Sequence, residues 1–370
     1  MSAAFLARDD LQRLIDALRR EHRQVIGPQV RDGTIVFDAL ERASQLPVGV
    51  VDEQAPGRYR LKSDGSGRCF AWATGVQALK PLTFAPRETL WRAERGERGE
   101  LRFLDTQPAV QPTAVIGVRG CDLAALHLQD QHFCYGAYAD SYYNRRRRAL
   151  FIVAVDCAHP AATCFCASTG DGPAASAGFD VALTELDDGF LLRAKSDRGQ
   201  ELLDALPVVA ATDEQLGRAA GQHAAAVAAQ KRALPGRDLR QALFARLGHP
   251  RWNEVAQRCL SCGNCTSVCP TCFCHSEGDV PTMDGRQVDH FRQWDSCFTP
   301  GHSYIHGWIV RGSARFRYRQ WLTHKLGTWH EQYGRSGCVG CGRCIAWCPV
   351  GIDITAEARA LVEGEPDARP

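Results

Sequence analysis

Long apolar runs are missing from this 370-residue sequence. No stretch approaches the roughly 20 apolar residues that a membrane-spanning helix needs. The N-terminus also lacks a basic segment followed by an apolar core, so we expect no secretory signal. No excess of one charge is present, because the formal net charge is only +2, and this argues against nucleic-acid binding and against a polybasic membrane anchor. We therefore expect a cytoplasmic protein with no membrane and no nucleic-acid partner.

Four motifs of common active sites are absent as well. There is no G-x-G-x-x-G after a predicted strand, no Walker loop and no H-E-x-x-H zinc pattern, and there is no G-x-S-x-G nucleophile elbow. The segment Thr169–Gly172 is too short to count as a dinucleotide fingerprint. We therefore expect no flavin or NAD(P) site in this chain and assign no catalytic residue.

Cysteine, in contrast, is abundant, with 17 in the sequence. Disulfides are rare in a reducing compartment, so clustered thiols there are expected to be metal ligands or reactive groups. An odd number of cysteines also fits poorly with a closed set of disulfides. The spacing of the cysteines is therefore the most informative feature of the sequence.

One cysteine pattern occurs twice in the C-terminal third. The copies are residues 259–270 and 338–349, and both match C-x2-C-x2-C-x3-C-P. This spacing is typical of bacterial ferredoxins, in which three cysteines of a copy bind one [4Fe–4S] cluster and the fourth binds the other cluster. By this crossing rule, one cluster takes Cys259, Cys262, Cys265 and Cys348, and the other takes Cys338, Cys341, Cys344 and Cys269.

A pair of structural zinc sites is the alternative explanation of these copies. Zinc favours two separated pairs of ligands, whereas each copy is a run of four cysteines followed by proline. Gly263, Gly340 and Gly342 let the backbone wrap closely, with N–H groups that can point at cluster sulfur. We therefore predict two [4Fe–4S] clusters.

A second set of cysteines lies in the N-terminal part. Cys121 and Cys157 each follow a predicted buried strand, and Cys164 and Cys166 lie in the loop after the second strand. Four thiolates suit a third iron–sulfur cluster or a zinc ion. The alternative is two buried packing cysteines and an unrelated loop pair.

A third set follows the first copy directly. Cys272 and Cys274 precede His275, and Cys297 comes later in the insert between the copies. Three thiols and a histidine are a candidate metal site, although no fourth thiol is evident. The alternative is that these thiols are small buried side chains near a cluster.

The apolar pattern predicts an α/β or α+β N-terminal domain. Ala114–Val118 and Leu150–Val155 are expected to be buried strands with a helix between them, which is typical of a parallel α/β unit. Phe179–Ala194 alternates apolar and polar residues around Asp188 and Gly189, which predicts a β-hairpin. The charged segment Arg92–Glu100 is expected to form an exposed loop.

The domain boundary is expected near residue 248. Residues 1–248 then form the α/β domain, with its candidate third metal site, and residues 249–370 form a mostly helical ferredoxin-like domain that binds the two clusters. The helical expectation rests on the long insert between the copies, which contains the helix-like segment Gly307–Leu326. Within the same insert, Gly278–Asp289 is expected to be a loop or a hairpin.

The cysteine copies occur together with several other segments, and the combination is more specific than the ferredoxin pattern alone. The segments are Gly120–Asp122, Cys164–Cys166, Gly178–Gly189, Cys259–Cys274, Trp294–Cys297 and Cys338–Cys344. Together they resemble the β subunit of cytoplasmic NAD(P)-linked [NiFe] hydrogenases, also called sulfhydrogenases, and are similar to the related A subunit of anaerobic sulfite reductase. The resemblance runs through most of the chain.

The resemblance implies a place in a heteromeric complex. A flavin- and NAD(P)-binding subunit would exchange electrons with the nicotinamide, and a small iron–sulfur subunit and a large [NiFe] subunit would handle hydrogen. This chain would add clusters that relay single electrons between them. The family also implies sulfur or polysulfide as an alternative electron acceptor of the complex.

Two other functions stay open at this point. The first is the A subunit of a sulfite reductase, with the same clusters and a siroheme partner. The second is a catalytic iron–sulfur enzyme whose N-terminal thiols hold a substrate-binding cluster, and it predicts turnover by the purified chain. Clusters with four thiolate ligands have no open position for a substrate, so the sequence favours the electron-relay subunit.

Overall fold

The computed structural model describes residues 3–20 and 22–363. Sixteen strands lie in these residues, and most belong to one eight-stranded and one four-stranded sheet. In chain order the strands are β1 Ala4–Ala7, β2 Gln24–Arg31, β3 Thr34–Ala39, β4 Val50–Ala55, β5 Arg58–Ser63, β6 Arg87–Arg95, β7 Leu101–Asp105, β8 Thr113–Val118, β9 Leu150–Val155, β10 Val181–Glu185, β11 Gly189–Ala194, β12 Val209–Ala210, β13 His275–Pro281, β14 Gln287–Trp294, β15 Tyr304–Ile305 and β16 Trp308–Ile309.

The helices are mostly short, and the longest are Gly120–Phe133 and Asp213–Ala229. A π-helical turn, His324–Thr328, follows the helix Ala314–Thr323 directly. Among the described residues no helix has the length and apolar character needed to span a bilayer. The helices are α1 Leu11–Arg20, α2 Lys80–Thr83, α3 Gly120–Phe133, α4 Ser141–Arg148, α5 Cys166–Thr169, α6 Asp197–Asp204, α7 Asp213–Ala229, α8 Arg240–Phe244, α9 Arg251–Arg258, α10 Asn264–Ser267, α11 Ala314–Thr323, α12 Trp329–Tyr333, α13 Arg343–Ala346 and α14 Ile354–Glu363.

The large sheet has the strand order β12-β1-β11-β10-β9-β8-β2-β3. Its centre is parallel, because β8 pairs with β2 and β9 in parallel and β9 pairs with β10 in parallel. Every residue of β8 and β9 is buried, as expected for parallel strands covered on both faces. The predicted β–α–β unit is thus confirmed as β8, α3 and β9, and it brings Cys121 and Cys157 to the carboxyl edge of the sheet.

The predicted hairpin around Asp188 and Gly189 is also confirmed. Strands β10 and β11 pair in antiparallel register from Val181–Ala194 to Glu185–Phe190. This hairpin connects the parallel centre to the antiparallel strands β1 and β12 at one side of the sheet.

The four-stranded sheet corrects two expectations. Arg92–Glu100 is not simply a loop, because β6 runs to Arg95 and pairs with both β7 and β14. Charged residues in β6 form cross-strand ion pairs, such as Arg92 with Asp289 and Glu88 with Arg292, so a composition typical of loops is compatible with a strand. The mostly helical character of residues 249–370 is likewise not confirmed, since β13 and β14 form seven paired positions there.

The cysteine-dense region has its own buried core, which also includes residues from earlier in the chain. Trp252, Phe298 and Leu322 lie at its centre together with Phe165 and Leu243. The sheet β13-β14-β6-β7 likewise joins strands from both sides of residue 248. The boundary at residue 248 therefore stays a prediction, and the two parts pack together extensively.

Candidate metal centres

The two cysteine copies adopt the same backbone conformation. In the first copy Ser261 and Gly263 have φ values of 52° and 78°, and in the second Gly340 and Gly342 have φ values of 65° and 75°. Each copy then enters a one-turn helix, α10 or α13, directly after the second of these residues. Positive φ is readily adopted by glycine, so three of the four positions carry the residue that the conformation favours.

The first centre, site I, is defined by Cys259, Cys262, Cys265 and Cys348. These four thiols line one cavity with apolar side chains such as Phe298, Tyr318 and Ile352, and Cys344 of the second copy borders the same cavity. Backbone N–H groups of Ser261 and Ile352 donate to the sulfurs of Cys259 and Cys348, with N···S distances of 3.4 and 3.3 Å.

The pKa shift of Cys265 also indicates that the four thiols of site I are neighbours. Burial raises the pKa of Cys265 well above its usual value, and the neighbouring thiols of Cys259, Cys348 and Cys262 raise it further. Cys348 comes from the second copy, so this thiol and the three of the first copy are neighbours across the repeat. Isolated buried thiolates are costly, and binding to iron is one way to stabilise four of them together.

The second centre, site II, is defined by Cys338, Cys341, Cys344 and Cys269. Burial raises the pKa of Cys344 well above its usual value, and the thiols of Cys338, Cys341 and Cys269 add to this effect. Cys338 and Cys341 are each only 8% exposed, whereas Cys262 in site I is exposed. Site II is therefore the more deeply buried of the two.

The donor set and the surroundings fit [4Fe–4S] clusters. Each site offers four thiols from two chain segments, and site I has an apolar lining and N–H donors to sulfur, which are features of iron–sulfur sites. Across residues 3–20 and 22–363, no three histidine, cysteine, aspartate or glutamate side chains form a group suited to a single metal ion. The assignment of the eight ligands stays a prediction that this arrangement supports.

The N-terminal thiols lie beside site II, and we refer to Cys121, Cys157, Cys164 and Cys166 as site III. Burial raises the pKa of Cys164 well above its usual value, and the thiols of Cys157 and Cys166 contribute. Burial likewise raises the pKa of Cys121, with contributions from Asp122, Cys166 and Cys341. The four thiols thus lie near one another, and no disulfide joins them.

Site III is attached to the loop of site II through the backbone. The N–H group of Phe165 donates to the carbonyl of Gly340 over 2.8 Å. A side chain at Gly340 would bring its Cβ to 2.5 Å from the Cys166 nitrogen, and one at Gly342 would reach 2.5 Å from the Thr163 oxygen. Glycine in the second copy is therefore required by close packing as well as by φ.

Two buried arginines beside these sites were not identified from the sequence. Arg343 follows Gly342 and forms a buried ion pair with Asp122, with an N···O distance of 2.7 Å and side-chain exposures of 1% and 3%. Arg119 is 1% exposed, and its guanidinium donates to the backbone carbonyls of Phe70 and Ala73. No carboxylate lies within ion-pair distance of Arg119 in the described part of the chain.

The third predicted set, Cys272, Cys274 and Cys297, lies between sites I and II. Cys274 lies close to Cys297 and His302, while Cys272 lies close to Cys269 of site II. His275 contacts the carbonyl of Phe273 instead. The histidine beside these thiols is thus His302, which the sequence gave no reason to choose.

A buried lysine close to the same thiols was also missed. Lys325 is 4% exposed, and its ammonium group donates to the Thr271 hydroxyl over 2.9 Å. Burial alone would lower its pKa, but the thiolates of Cys269, Cys272 and Cys338 outweigh this effect and raise it.

One sequence signal for the packing around site II was available. The tetrapeptide Thr-Cys-Phe-Cys occurs at both 163–166 and 271–274, and each of these segments contacts the loop of site II.

Comparisons with known proteins identify an iron–sulfur family. Residues 258–352 match a family model described as a 4Fe-4S dicluster domain, and residues 222–273 match a second model of the same description. The chain is 31% identical to sulfhydrogenase 2 subunit beta of Pyrococcus furiosus over 296 residues, which are 77% of this chain and 83% of that protein. No solved structure matches. The chain therefore belongs to the sulfhydrogenase β-subunit family of iron–sulfur electron-transfer proteins.

Proposed function

We propose that this chain is the iron–sulfur relay subunit of a cytoplasmic, multisubunit, NAD(P)-linked [NiFe] hydrogenase. The observation that carries the proposal is the crosswise grouping of eight thiols from two copies of one ferredoxin pattern into two adjacent sites. A [4Fe–4S] cluster in each site would supply reversible one-electron transfer. The similarity to a sulfhydrogenase β subunit supports the hydrogenase assignment.

The partners follow from what the chain offers. In this proposal a flavin- and NAD(P)-binding subunit holds the nicotinamide site, and small and large hydrogenase subunits hold the hydrogen-converting site. Site I faces the surface, with Cys262 exposed and Leu260 64% exposed, which supports electron exchange with a partner there. Site II lies further inside, between site I and site III.

A third [4Fe–4S] cluster at Cys121, Cys157, Cys164 and Cys166 is part of the proposal. Its support is the grouping of four thiols around the carboxyl edge of the parallel sheet, where such folds hold ligands. Arg119 adds to this, because a buried guanidinium with only carbonyl acceptors favours a nearby anion. Burial raises the pKa of Cys157, and the positive charge of Arg119 partly opposes this rise. A cluster with four thiolates would supply negative charge beside this guanidinium.

A test of the proposal uses the complete complex with its native partners. Cys262→Ala removes an exposed ligand of site I, and Cys134→Ala removes a thiol outside the three sites as a matched control. We expect Cys262→Ala to lose about four irons per chain and to abolish hydrogen-dependent reduction of NAD(P), whereas Cys134→Ala retains both. Unchanged electron transfer in an iron-depleted Cys262→Ala complex would contradict the proposal.

The purified chain alone distinguishes the relay from a free-standing enzyme. Without partners it is expected to accept electrons from a chemical reductant and to catalyse neither hydrogen oxidation nor sulfite reduction. Sustained turnover of either reaction by the isolated chain would contradict the relay function.

A further inference from the structure

The fourth cysteines of the two copies lie in different surroundings. Cys348, which belongs to site I, accepts a hydrogen bond from the backbone N–H of Ile352 over 3.3 Å. Cys269, which belongs to site II, contacts the Thr271 hydroxyl with an S···O distance of 3.2 Å and lies close to the Cys272 thiol. A polar side chain therefore lies beside the sulfur of Cys269, and its hydroxyl donates in turn to the carbonyl of Gly337 over 2.7 Å.

Lys325 completes the surroundings of Cys269. Its ammonium group donates to the Thr271 hydroxyl over 2.9 Å and to the carbonyl of Gly337 over 3.4 Å. In the opposite direction, the N–H group of Gly337 donates to the carbonyl of Lys325 over 2.8 Å. Because Gly337 precedes Cys338, these bonds fix the lysine against the loop that carries the first ligand of site II.

The position of Lys325 depends on an irregular helical turn. Lys325 lies in the π-helical turn His324–Thr328 between α11 and α12. Such turns are rare in proteins overall, and those that occur are often found at functional sites. Its ammonium group lies 5.2 Å from the ring centre of Trp329, and this contact and the two hydrogen bonds hold it in a buried position.

Lys325 differs from the two arginines beside site II in having no carboxylate partner. Arg343 is paired with Asp122 and Arg335 is paired with Asp171, so each of these contributes little net charge. No carboxylate lies within ion-pair distance of Lys325 in the part of the chain that the structure describes. Lys80, also buried, lies 3.9 Å from the ring centre of Trp294, near Cys272, Cys269 and Cys274.

An unpaired cation buried beside a cluster has a definite effect on its redox properties. Reduction adds a negative charge, and a nearby positive charge stabilises the reduced state more strongly where the dielectric constant is low. Hydrogen bonds to ligand sulfur act in the same direction, since both are known to set cluster potentials. Site I has no comparable lysine in its lining.

We propose that Lys325, positioned by Thr271 and Gly337, raises the reduction potential of the site II cluster above that of the site I cluster. Site II is then the electron-holding position of the pair, and electrons that enter at the exposed site I move inward. The inference rests on the proposed function, because it requires clusters at both sites.

The test is a redox titration of the full anaerobic chain followed by EPR, with iron measured on each sample. Lys325→Met is expected to shift the midpoint potential of the site II cluster to more negative values and to leave the potentials of the other clusters unchanged. Lys325→Arg, which keeps the charge, is expected to retain most of the wild-type potential. Lys62→Met removes an exposed lysine paired with Glu53 and is expected to change nothing.

Two further samples keep the inference open to refutation. Thr271→Val removes the hydroxyl beside Cys269 at nearly constant volume and is expected to produce a smaller negative shift, so it decides the matter if Lys325→Met fails to load iron. In a Cys262→Ala background, where the site I cluster is lost, the Lys325→Met shift is expected to persist. If Lys325→Met has full iron content and unchanged potentials, this inference is wrong while the proposed function stands. The same result in Thr271→Val has the same meaning when Lys325→Met does not load iron. A wild-type chain without iron would overturn the proposed function itself.

Discussion

The two cysteine copies have the same spacing and the same backbone conformation, yet they lie in opposite environments. The loop of site I is partly exposed, and Leu260 is 64% exposed. The loop of site II is buried, and Val339, at the matching position, is 2% exposed. The ligand pattern is therefore a local property of each copy, whereas the surroundings that tune a cluster are supplied by the rest of the fold.

The N-terminal part makes most of this difference. Gly340 and Gly342 pack against Cys166 and Thr163, and Arg343 is paired with Asp122. The matching positions of the first copy are Ser261, Gly263 and the exposed Asn264. We infer that site I is the point of contact with partners and that site II connects it to the N-terminal thiols.

The largest expected effect comes from removing single cysteine ligands and comparing which cluster each variant loses. Cys348→Ala and Cys262→Ala are expected to remove the same cluster, since both thiols belong to site I, and Cys269→Ala and Cys341→Ala are expected to remove the other. EPR of the dithionite-reduced chains should therefore give two pairs of matching spectra, each with about four irons fewer than the wild type. If Cys348→Ala instead matched Cys341→Ala, each copy would bind its own cluster and the crosswise arrangement would be wrong.

A smaller but still large effect on stability is expected two residues after the second cysteine of each copy, where the second copy has Arg343 and the first has Asn264. Arg343→Met leaves Asp122 buried without a partner, which typically costs about 3–5 kcal/mol. Asn264→Ala removes only an exposed contact to the Trp347 carbonyl and is expected to cost less than about 1 kcal/mol. Anaerobic denaturant unfolding of the iron-loaded chains measures both, and the double variant Arg343→Met/Asp122→Asn should recover part of the loss. Equal losses in Arg343→Met and Asn264→Ala would show that the two environments do not differ as described.

The smallest of these effects is expected at the residue directly before the second cysteine of each copy. Gly340→Ala introduces a Cβ next to the Cys166 backbone at a positive φ, and overpacking typically costs about 1–3 kcal/mol with about 1 kcal/mol or more for the conformation. Ser261→Ala, at the matching position, is expected to stay within about 0.5 kcal/mol. Midpoints of thermal unfolding compare the two, and a stable Gly340→Ala chain would argue against tight packing of site III on site II.

The sequence was sufficient for the local features. The ferredoxin spacing and its glycines predicted the tight loop of each copy, whereas the crosswise assignment of the eight ligands stays a prediction. Apolar runs predicted β8 and β9, and alternation predicted the hairpin of β10 and β11. These features depend on residues that are close together in the chain.

The features that were missed depend on distant residues. Arg343 and Asp122 are 221 positions apart, and nothing in either segment indicates the other. Lys325 lies in a segment for which the sequence predicts only a helix. Its proposed role depends on contacts with Thr271 and Gly337, which the sequence does not reveal. The loop predicted for Arg92–Glu100 is wrong at Arg92–Arg95, because Arg92 there is paired with Asp289 of β14, a strand from the other part of the chain.

Iron, acid-labile sulfide and zinc measured together in the anaerobically purified wild-type chain test the central claim most directly. The account predicts about twelve irons and about twelve sulfides per chain, with about eight of each in the two ferredoxin-type sites and about four in site III. About eight of each would remove only the third cluster. Fewer than about eight, or zinc in place of iron, would contradict the account.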